Sequence, residues 1–393
     1  SYLLDEERKK KLILDSGNGM RLSWFVDSLG LVSLIMKSRK KILMLLLSVL
    51  IGFVVGSIVI SIAGFNPINY YKIMIETTFS RPKFFARTLV DAVPLIIGSI
   101  GVSLAFKTGA FNIGAEGQFI IGSLTAAFFG YFLKLPPIIH PIVCIILAAL
   151  AGMAWGGFAG WIKSKYGVHE VITTIMLNWI ALYFSNLVVT FGKFYNETGQ
   201  TSKDIQSTAS IKIFQGLKES SIPFVKDFFS ADINFGIILA IILAFLVYYL
   251  LNRTSKGYEL KAVGLNPNAA EFGGINVGSN LILSMGLSGA LCSIAGAVKV
   301  LGFAGNVARL TVAEGNGFDA MSVALLANSH PIGSIFSGFF FSVIKRGGFR
   351  VQQLLGVPYE IVQIIIGIIV LFISMPLVIK IISSKFKRVG GKK

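Results

Sequence analysis

The sequence predicts an all-α polytopic integral membrane protein with about ten transmembrane segments, some of them short or discontinuous. Three observations carry that reading. The first is composition: 54% of the 393 residues are hydrophobic and 14% are charged, against about 25% charged in ordinary soluble chains. The mean hydropathy is +0.74. The second is that the apolar residues gather into segments of spanning or half-spanning length. The third is where the charge sits. The net charge of +17 falls largely beside apolar segments, at Arg39–Lys41, Lys163, Lys165 and the tail from Lys380. That is the positive-inside pattern of a membrane protein and not the basic face of a nucleic-acid binder, so no nucleic-acid partner is expected.

The segments run in order Ile42–Ile62, Ala92–Phe106, Phe111–Leu133, Ile138–Ile162, Val171–Phe191, Asn234–Leu251, Leu281–Ala304, Phe318–Ala327, Ile332–Ile344 and Tyr359–Ile379. A full crossing needs about 20 residues. The second, eighth and ninth are shorter and read as half-helices or interior helices. Arg39, Lys40 and Lys41 place the N-terminus in the cytoplasm, and alternation returns the basic tail there. The domain plan is an N-terminal cytoplasmic arm (1–41), a transmembrane domain (42–380) and a basic tail (381–393). Within the transmembrane domain an external loop covers 192–233 and a cytoplasmic loop 252–280. Six cations resist this topology. Arg81, Lys83 and Arg87 precede the second segment, and Lys345, Arg346 and Arg350 follow the ninth, both on the predicted outer side. They leave a count of eight to ten spans open.

Within the third segment, FNIGAEGQ (Phe111–Gln118) sets Asn112, Glu116, Gln118 and two glycines among apolar residues. Hydrocarbon solvates neither a carboxylate nor an amide, and broken helices in membranes line cavities or lie inside protein. The stretch points to a transport route. Asn112 and Gln118 are expected to line it, since amides can read a hydroxyl or a base edge. Glu116 either lines the route or is bonded to backbone N–H groups of the broken helix. Phe111 is placed to stack on a solute. Asn178, in the fifth segment, reads as route or as interhelical glue. Asn328, His330 and Pro331 break the eighth segment from the ninth, with His330 expected to be buried and satisfied. FNIGAEGQFIIGSLTAAFF and FDAMSVALLANSHPIGSIFSGFFF form a loose internal echo. Cys144 and Cys292 read as small buried hydrophobes, and the three histidines form no metal spacing.

The loop after the sixth segment contains its own stub of helix. Asn266 is a good N-cap and Pro267 suits the first helical position. Asn268, Ala269, Ala270, Glu271 and Phe272 continue it, and Gly273 and Gly274 end it. A sharp start and stop around so short a helix suit a rigid knob that docks on another protein.

GLNPNAAEFGGINV (Gly264–Val277), followed by LSGALCSIAGA, resembles the ATPase-contacting loop of ABC importer permeases. The group is the one that handles ribose, branched-chain amino acids and nucleosides. FNIGAEGQ resembles the same group. HEVITTIMLNWIALY, FDAMSVALLANSHPIG and GVPYEIVQIIIGIIVLF look most like its bacterial nucleoside permeases, although Asn328-Ser329 departs from many of them. The resemblance runs from about Ile42 to Leu377. The first forty residues and the 191–234 loop do not share it.

The resemblance implies a transport subunit that is not itself an enzyme, working by alternating access in the bacterial cytoplasmic membrane. It implies four partners: a cytoplasmic ATP-binding subunit, a second permease (identical or paralogous), an extracytoplasmic substrate-binding protein or lipoprotein, and membrane lipid. Gly264, Leu265, Asn266, Pro267, Ala269, Ala270, Glu271 and Gly274 would couple to the ATPase. No cofactor of its own is expected. The chain contains no GxxxxGK[ST], so ATP would be bound by the partner. The expected solute is a nucleoside, with ribose or another simple sugar as the alternative. A stand-alone secondary transporter or channel is the alternative of another class, and would need Glu116 as its coupling carboxylate. A membrane scaffold would leave both the stub and the polar interruption unexplained.

Overall fold

A computed structural model describes Leu47, 49–213 and 215–374 of the chain. The arm 1–41, the tail 381–393 and the outer residues of the first and last expected segments lie outside the described residues. Fourteen α-helices of six residues or more follow one another among those described. Helix α1 (Val49–Ile62) meets α2 (Pro67–Phe79) at a bend of 120°. Asn66 makes that corner: its side chain accepts from Ile68 N–H, and Pro67 opens the new helix. Helices α3 (Pro82–Lys107), α4 (Ala115–Phe132), α5 (Ile139–Tyr166) and α6 (Glu170–Val189) come next. The connection from 190 to 235 holds a two-residue hairpin, β1 (Tyr195–Asn196) with β2 (Thr201–Ser202), and a short helix α7 (Pro223–Phe229). Helices α8 (Gly236–Arg253), α9 (Ser255–Leu265), α10 (Pro267–Phe272) and α11 (Val277–Lys299) follow. One π turn, Val300–Ala304, closes α11. The chain continues through α12 (Asn316–Leu326), α13 (Gly333–Leu355) and α14 (Tyr359–Ser374).

Five helices, α3, α5, α6, α8 and α11 with its π turn, are long and apolar enough to cross a membrane, or six if α1 and α2 form one bent span. The expected ten is not reached on that measure, although a helix underlies each expected segment. Two expectations are corrected. The second segment is a full helix of 26 residues and the ninth one of 23. Hydropathy truncated both because their polar ends are charged. Those charges are resolved inside the protein: Arg87 Nε lies 3.1 Å from Asp91, Arg346 Nη1 2.8 Å from the same carboxylate, and Lys345 pairs with Asp319. Three of the six cations that resisted the topology are therefore held in part-buried ion pairs with acids of the bundle. Helix α2 was not foreseen, its apolar content being too low.

Two cores meet along α3. One gathers α3, α4, α5, α8 and α11; the other gathers α1, α2, α13 and α14 with Leu95 of α3 and Val323 of α12. Helices α3 and α11 are mostly buried, whereas α5, α6 and α8 turn most of their surface outward. Such outward faces suit lipid, which is as apolar as Leu. Helix α5 approaches α11 through Gly152, Gly156 and Gly160. A Cβ at Gly152 would lie 2.4 Å from Gly289 O, and one at Gly160 2.9 Å from Ile282 Cα. Small residues four apart permit this backbone approach.

The hairpin and the 201–213 strand-like stretch fold over one end of the bundle, with Ser202 N–H donating to Val307 O (2.8 Å) and Gln206 N–H to Gly130 O (2.9 Å). The opposite end carries α9 and α10. These are called the hairpin end and the stub end.

Candidate functional site

The polar interruption forms because α3 must stop and α4 restart within the bundle. Gly109, at φ +75°, reverses the chain after Lys107. Ala110 N–H returns to Ala105 O (3.0 Å) in a helix-ending turn. The next residues leave backbone groups that two side chains of α6 take up. Glu170 of α6 accepts from Phe111 N–H (3.2 Å) and pairs with Lys163 of α5 (2.8 Å). Asn178 accepts from Gly117 N–H (2.8 Å) and donates to Ile113 O (3.0 Å). Asn178 is thus spent as interhelical glue.

Asn112 and Gln118 are both buried and face one another. Asn112 Nδ2 donates to Gln118 Oε1 (2.9 Å) and to Ser288 Oγ (2.8 Å), while its Oδ1 accepts from Gly114 N–H (3.0 Å). Gln118 Nε2 donates back to Asn112 (3.2 Å). These amides satisfy each other and α11. Phe111 stacks on Phe106 at 4.9 Å between ring centroids and is 41% exposed.

Glu116 is 1% exposed. One carboxylate oxygen accepts from Gly315 N–H (2.9 Å) and the other from Gly317 N–H. Both readings open in the sequence have geometry behind them: Glu116 bonds backbone N–H groups, at the start of α12 and not of its own helix, and it also lines the smaller of two neighbouring clefts. The two echoing segments therefore begin against each other. A Cβ at Gly317 would lie 2.2 Å from Glu116 N, so only glycine permits the approach.

Two clefts flank this joint, both lined in part by Lys299 of α11. The smaller, about 150 Å³, lies against Glu116, Phe119, Asn186 and Glu314. The larger, about 460 Å³, is walled by α3, α12 and α13 with Phe303 of the π turn.

Asn328 and His330 lie elsewhere, exposed at the α12–α13 link, where Asn328 and Ser329 both take positive φ (51° and 52°). His330 was expected to be buried; it is exposed. Its Nδ1 accepts from Gly333 N–H (3.2 Å), capping α13, and its ring lies 5.6 Å from Tyr248 of α8. A chain reversal between two helices needs a cap more than a core residue, and the pattern His-Pro-x-Gly supplies one.

The stub is helical over Pro267–Phe272, with Asn266 accepting from Ala269 N–H (3.1 Å) and Gly274 at φ +79°. Ala270 is buried, so only part of the expected Ala269–Ala270 face is outward. The outward side presents Leu265, 88% exposed, and Phe272, 95% exposed, beside the exposed Glu271. Phe272 closes the stub as expected, and its exposure adds an aromatic to the outward face. Glu259 of α9 accepts from Lys256 (2.7 Å) and from Asn280 of α11 (3.1 Å), which together hold its carboxyl below the usual range. Gly264 seats this loop on the bundle: a Cβ there would lie 2.2 Å from Lys107 O and 3.0 Å from Gly109 N. The stub thus rests on the turn that leads into the interruption, three residues from Asn112.

Sequence reasoning missed Ser288, Glu170, Asp91, Lys299 and Asn316, which reach the site through folding alone. Among the described residues no group of three or more His, Cys, Asp or Glu side chains could hold a metal ion.

A family model described as "Branched-chain amino acid transport system / permease component" matches residues 84–374. The chain is 32% identical over 355 residues to the guanosine ABC transporter permease protein NupP of Bacillus subtilis, covering 90% of this chain and 99% of the relative. It is 34% identical over 361 residues to the nucleoside ABC transporter permease protein NupB of Lactococcus lactis, covering 89% and 95%. The glucose ABC transporter permease protein TsgB13 of Haloferax volcanii is 30% identical over 331 residues, covering 83% and 85%. No solved structure matches the chain.

Proposed function

The chain belongs to the family of ABC transporter permease components described by that model, and from this premise we propose that it is the membrane subunit of an ATP-driven importer of nucleosides. Relatives named for guanosine and for nucleosides, each matched over nearly their whole length, carry the substrate reading. The stub supports the coupling reading. A six-residue helix capped at both ends, with Leu265 and Phe272 outward, is suited to a groove on a cytoplasmic ATP-binding subunit. Hydrolysis belongs to that subunit. Motion of the stub passes through Gly264 to the turn at Gly109 and so to α3 and the interruption. Two arrangements of these packed elements, biased by ATP on the partner, give alternating access.

In this reading the stub end and both termini face the cytoplasm and the hairpin end faces outward. There a substrate-binding protein or lipoprotein delivers the solute. A second permease, identical or paralogous, completes the membrane pair in the cytoplasmic membrane. Within this frame Asn112, Gln118 and Asn178 brace the interruption, and Glu116 ties it to α12.

A simple sugar is the second reading, kept by the glucose permease relative. Uptake decides between them. The chain, expressed with its ATP-binding subunit, second permease and binding protein in cells lacking nucleoside uptake, should import labelled guanosine. Excess adenosine should compete and excess ribose should not. Competition by ribose alone, or uptake of ribose without guanosine, would sink the nucleoside reading.

A further inference from the structure

The interruption is a poor place for a solute to bind. Its amides have each other and Ser288 as partners, and they can bind a solute only by giving those up. The larger cleft is different. We infer that it is the station at which the solute binds within the membrane. We assign to it an uncharged solute with one aromatic face and a polar rim, the chemistry of a nucleoside. The assignment rests on, and deepens, the function proposed above.

Size is the first argument. Small-molecule sites occupy about 300–1,000 Å³. The cleft walled by α3, α12 and α13 has about 460 Å³, and its neighbour at Glu116 about 150 Å³. Of the two at this joint only the larger holds more than a few waters; a hollow of about 580 Å³ at Arg81, Pro82 and Phe224 lies apart from it, against α7 of the 190–235 connection.

Charge is the second. Three cations line the cleft, and each already has a carboxylate: Arg346 has Asp91 at 2.8 Å, Lys345 has Asp319, and Lys299 has Glu314. A phosphate or carboxylate ligand would have to compete with these acids for their cations and leave the displaced one unpaired. An uncharged solute displaces none. The polar wall offers it fixed hydrogen-bonding groups instead. Asn316 is oriented by one bond at each end of its amide, Nδ2 to Glu314 (2.6 Å) and Oδ1 from Lys345 (3.3 Å), which leaves one N–H and one lone pair, whereas the Asn112 amide is fully spent. Arg346 spends Nη1 on Asp91 (2.8 Å).

Aromatic surface is the third. Phe349 of α13 lines the cleft and is 56% exposed, and Phe303 faces it from the π turn. The guanidinium of Arg87 sits 4.9 Å over the Phe303 ring and occupies one face of it. Phe349 is therefore the ring left for stacking, a contact worth having with any base because each has a π-face.

The cleft is also wired to the stub. Its α3 wall, Asp91 to Leu95, belongs to the helix whose far end rests on Gly264. Pro94 lies in that wall inside α3. Proline removes a helical hydrogen bond and permits a kink, so displacement of the far end reaches the cleft at a point where α3 can bend.

Protection from thiol labelling tests the assignment in the assembled transporter. Cys144 and Cys292 are buried and stay in place, and the unaltered protein reports any reaction of theirs. With Phe349→Cys, guanosine at about ten times its dissociation constant should slow labelling by a small polar thiol reagent about tenfold. Guanosine monophosphate at the same concentration should not. Should Phe349→Cys fail to reach the membrane, Asn316→Cys gives the same readout from the facing wall. Unchanged labelling at a guanosine concentration that saturates uptake by the same variant would overturn the cleft as the binding station, and so would uptake by Phe349→Cys at an unaltered KM, since the stacking ring is gone. Equal protection by the monophosphate would overturn the charge argument. The function itself is tested separately, on the unaltered transporter. If that imports ribose and no nucleoside, the substrate reading has failed. The cleft is then tested with ribose, whose failure to protect would overturn it as well.

Discussion

Glu116 shows how a single carboxylate can join two elements. Its two oxygens accept backbone N–H groups at the start of α12, and hydrogen bonds to a charged group contribute about 1.5–3 kcal/mol each. Glu116→Ala removes both acceptors and strands two N–H groups in a buried joint. The expected outcome is lost uptake and a clear drop in thermal midpoint of the purified transporter. Glu116→Gln keeps one acceptor but presents an NH₂ to the other donor, so its drop should be smaller than that of Ala. An unchanged midpoint in both would show that the joint does not hold α12. Asp232 offers a second case, at the hairpin end. Burial opposes its ionisation, but the hydrogen bond from Lys218 (2.8 Å) and the charges of Lys212, Lys218 and Arg87 outweigh it and hold the carboxyl below the usual range. A depressed value stabilises the native loop at pH above the unfolded Asp value of about 3.9, and the contribution is lost as pH falls through the folded value. Protease cutting of the 212–232 stretch should therefore rise on acidification below about pH 4. In Asp232→Asn it should be high already at neutral pH and change little. A variant that cuts as slowly as the unaltered loop at neutral pH would remove Asp232 from this role.

At the scale of elements, the stub was legible in sequence and its seat was not. Asn266, Pro267 and Gly273–Gly274 fix where α10 begins and ends by local backbone preferences alone. That Ala270 turns inward and Phe272 outward depends on which side of the loop meets the bundle. Phe272→Asp and Glu271→Arg should abolish uptake while leaving the amount of protein in the membrane unchanged, as measured by uptake and by quantitative blotting. Wild-type uptake in either would end the docking role. Gly264→Ala probes the seat. Its methyl group would meet Lys107 O at 2.2 Å, and backbone cannot yield as a side chain can. Overpacking of this kind costs about 1–3 kcal/mol, less than a domain's stability. The variant should still assemble and hydrolyse ATP, but solute should no longer stimulate hydrolysis. Stimulation at the unaltered level would show that the Gly264 contact transmits nothing.

At the scale of the molecule, the charge distribution and the packing have to be read together. Lys163 and Lys165 near the end of α5, and Arg253 at the end of α8, lie toward the stub end. Of the cations that contradict this orientation, Arg87, Lys345 and Arg346 are committed to Asp91 and Asp319 in part-buried pairs between or along helices. A cation so paired does not report which side of a bilayer it faces, since the rule concerns loops that stay on one side. The stub end should therefore face the cytoplasm. Cysteine placed at Glu197, exposed at the hairpin, should react with an impermeant thiol reagent in intact cells. Cysteine at Asn268, exposed on the stub, should react only after lysis. The reverse pattern would invert the molecule and with it the direction of transport.

What the sequence by itself determined follows from properties each residue carries alone or shares with close neighbours. Hydropathy located the apolar segments, because transfer to lipid is nearly additive along a helix. The caps of α10 and the break at Phe111–Gln118 followed from local backbone and solvation rules. The charge of the second and ninth segments was visible too, but it was read as loop charge, because a cation's cost in a membrane depends on whether an acid stands opposite it. That acid is more than 250 residues away for Arg346 and 26 away for Lys345. Only the tertiary structure decided such pairings. It likewise decided that Asn112 and Gln118 face each other, that Glu116 holds α12, and that Gly264 rests on the turn at Gly109. Each of these brings together groups whose separation along the chain carries no periodicity, so no local pattern encodes them. The larger cleft, lined from α3, α11, α12 and α13, is likewise a product of packing between elements distant in the chain.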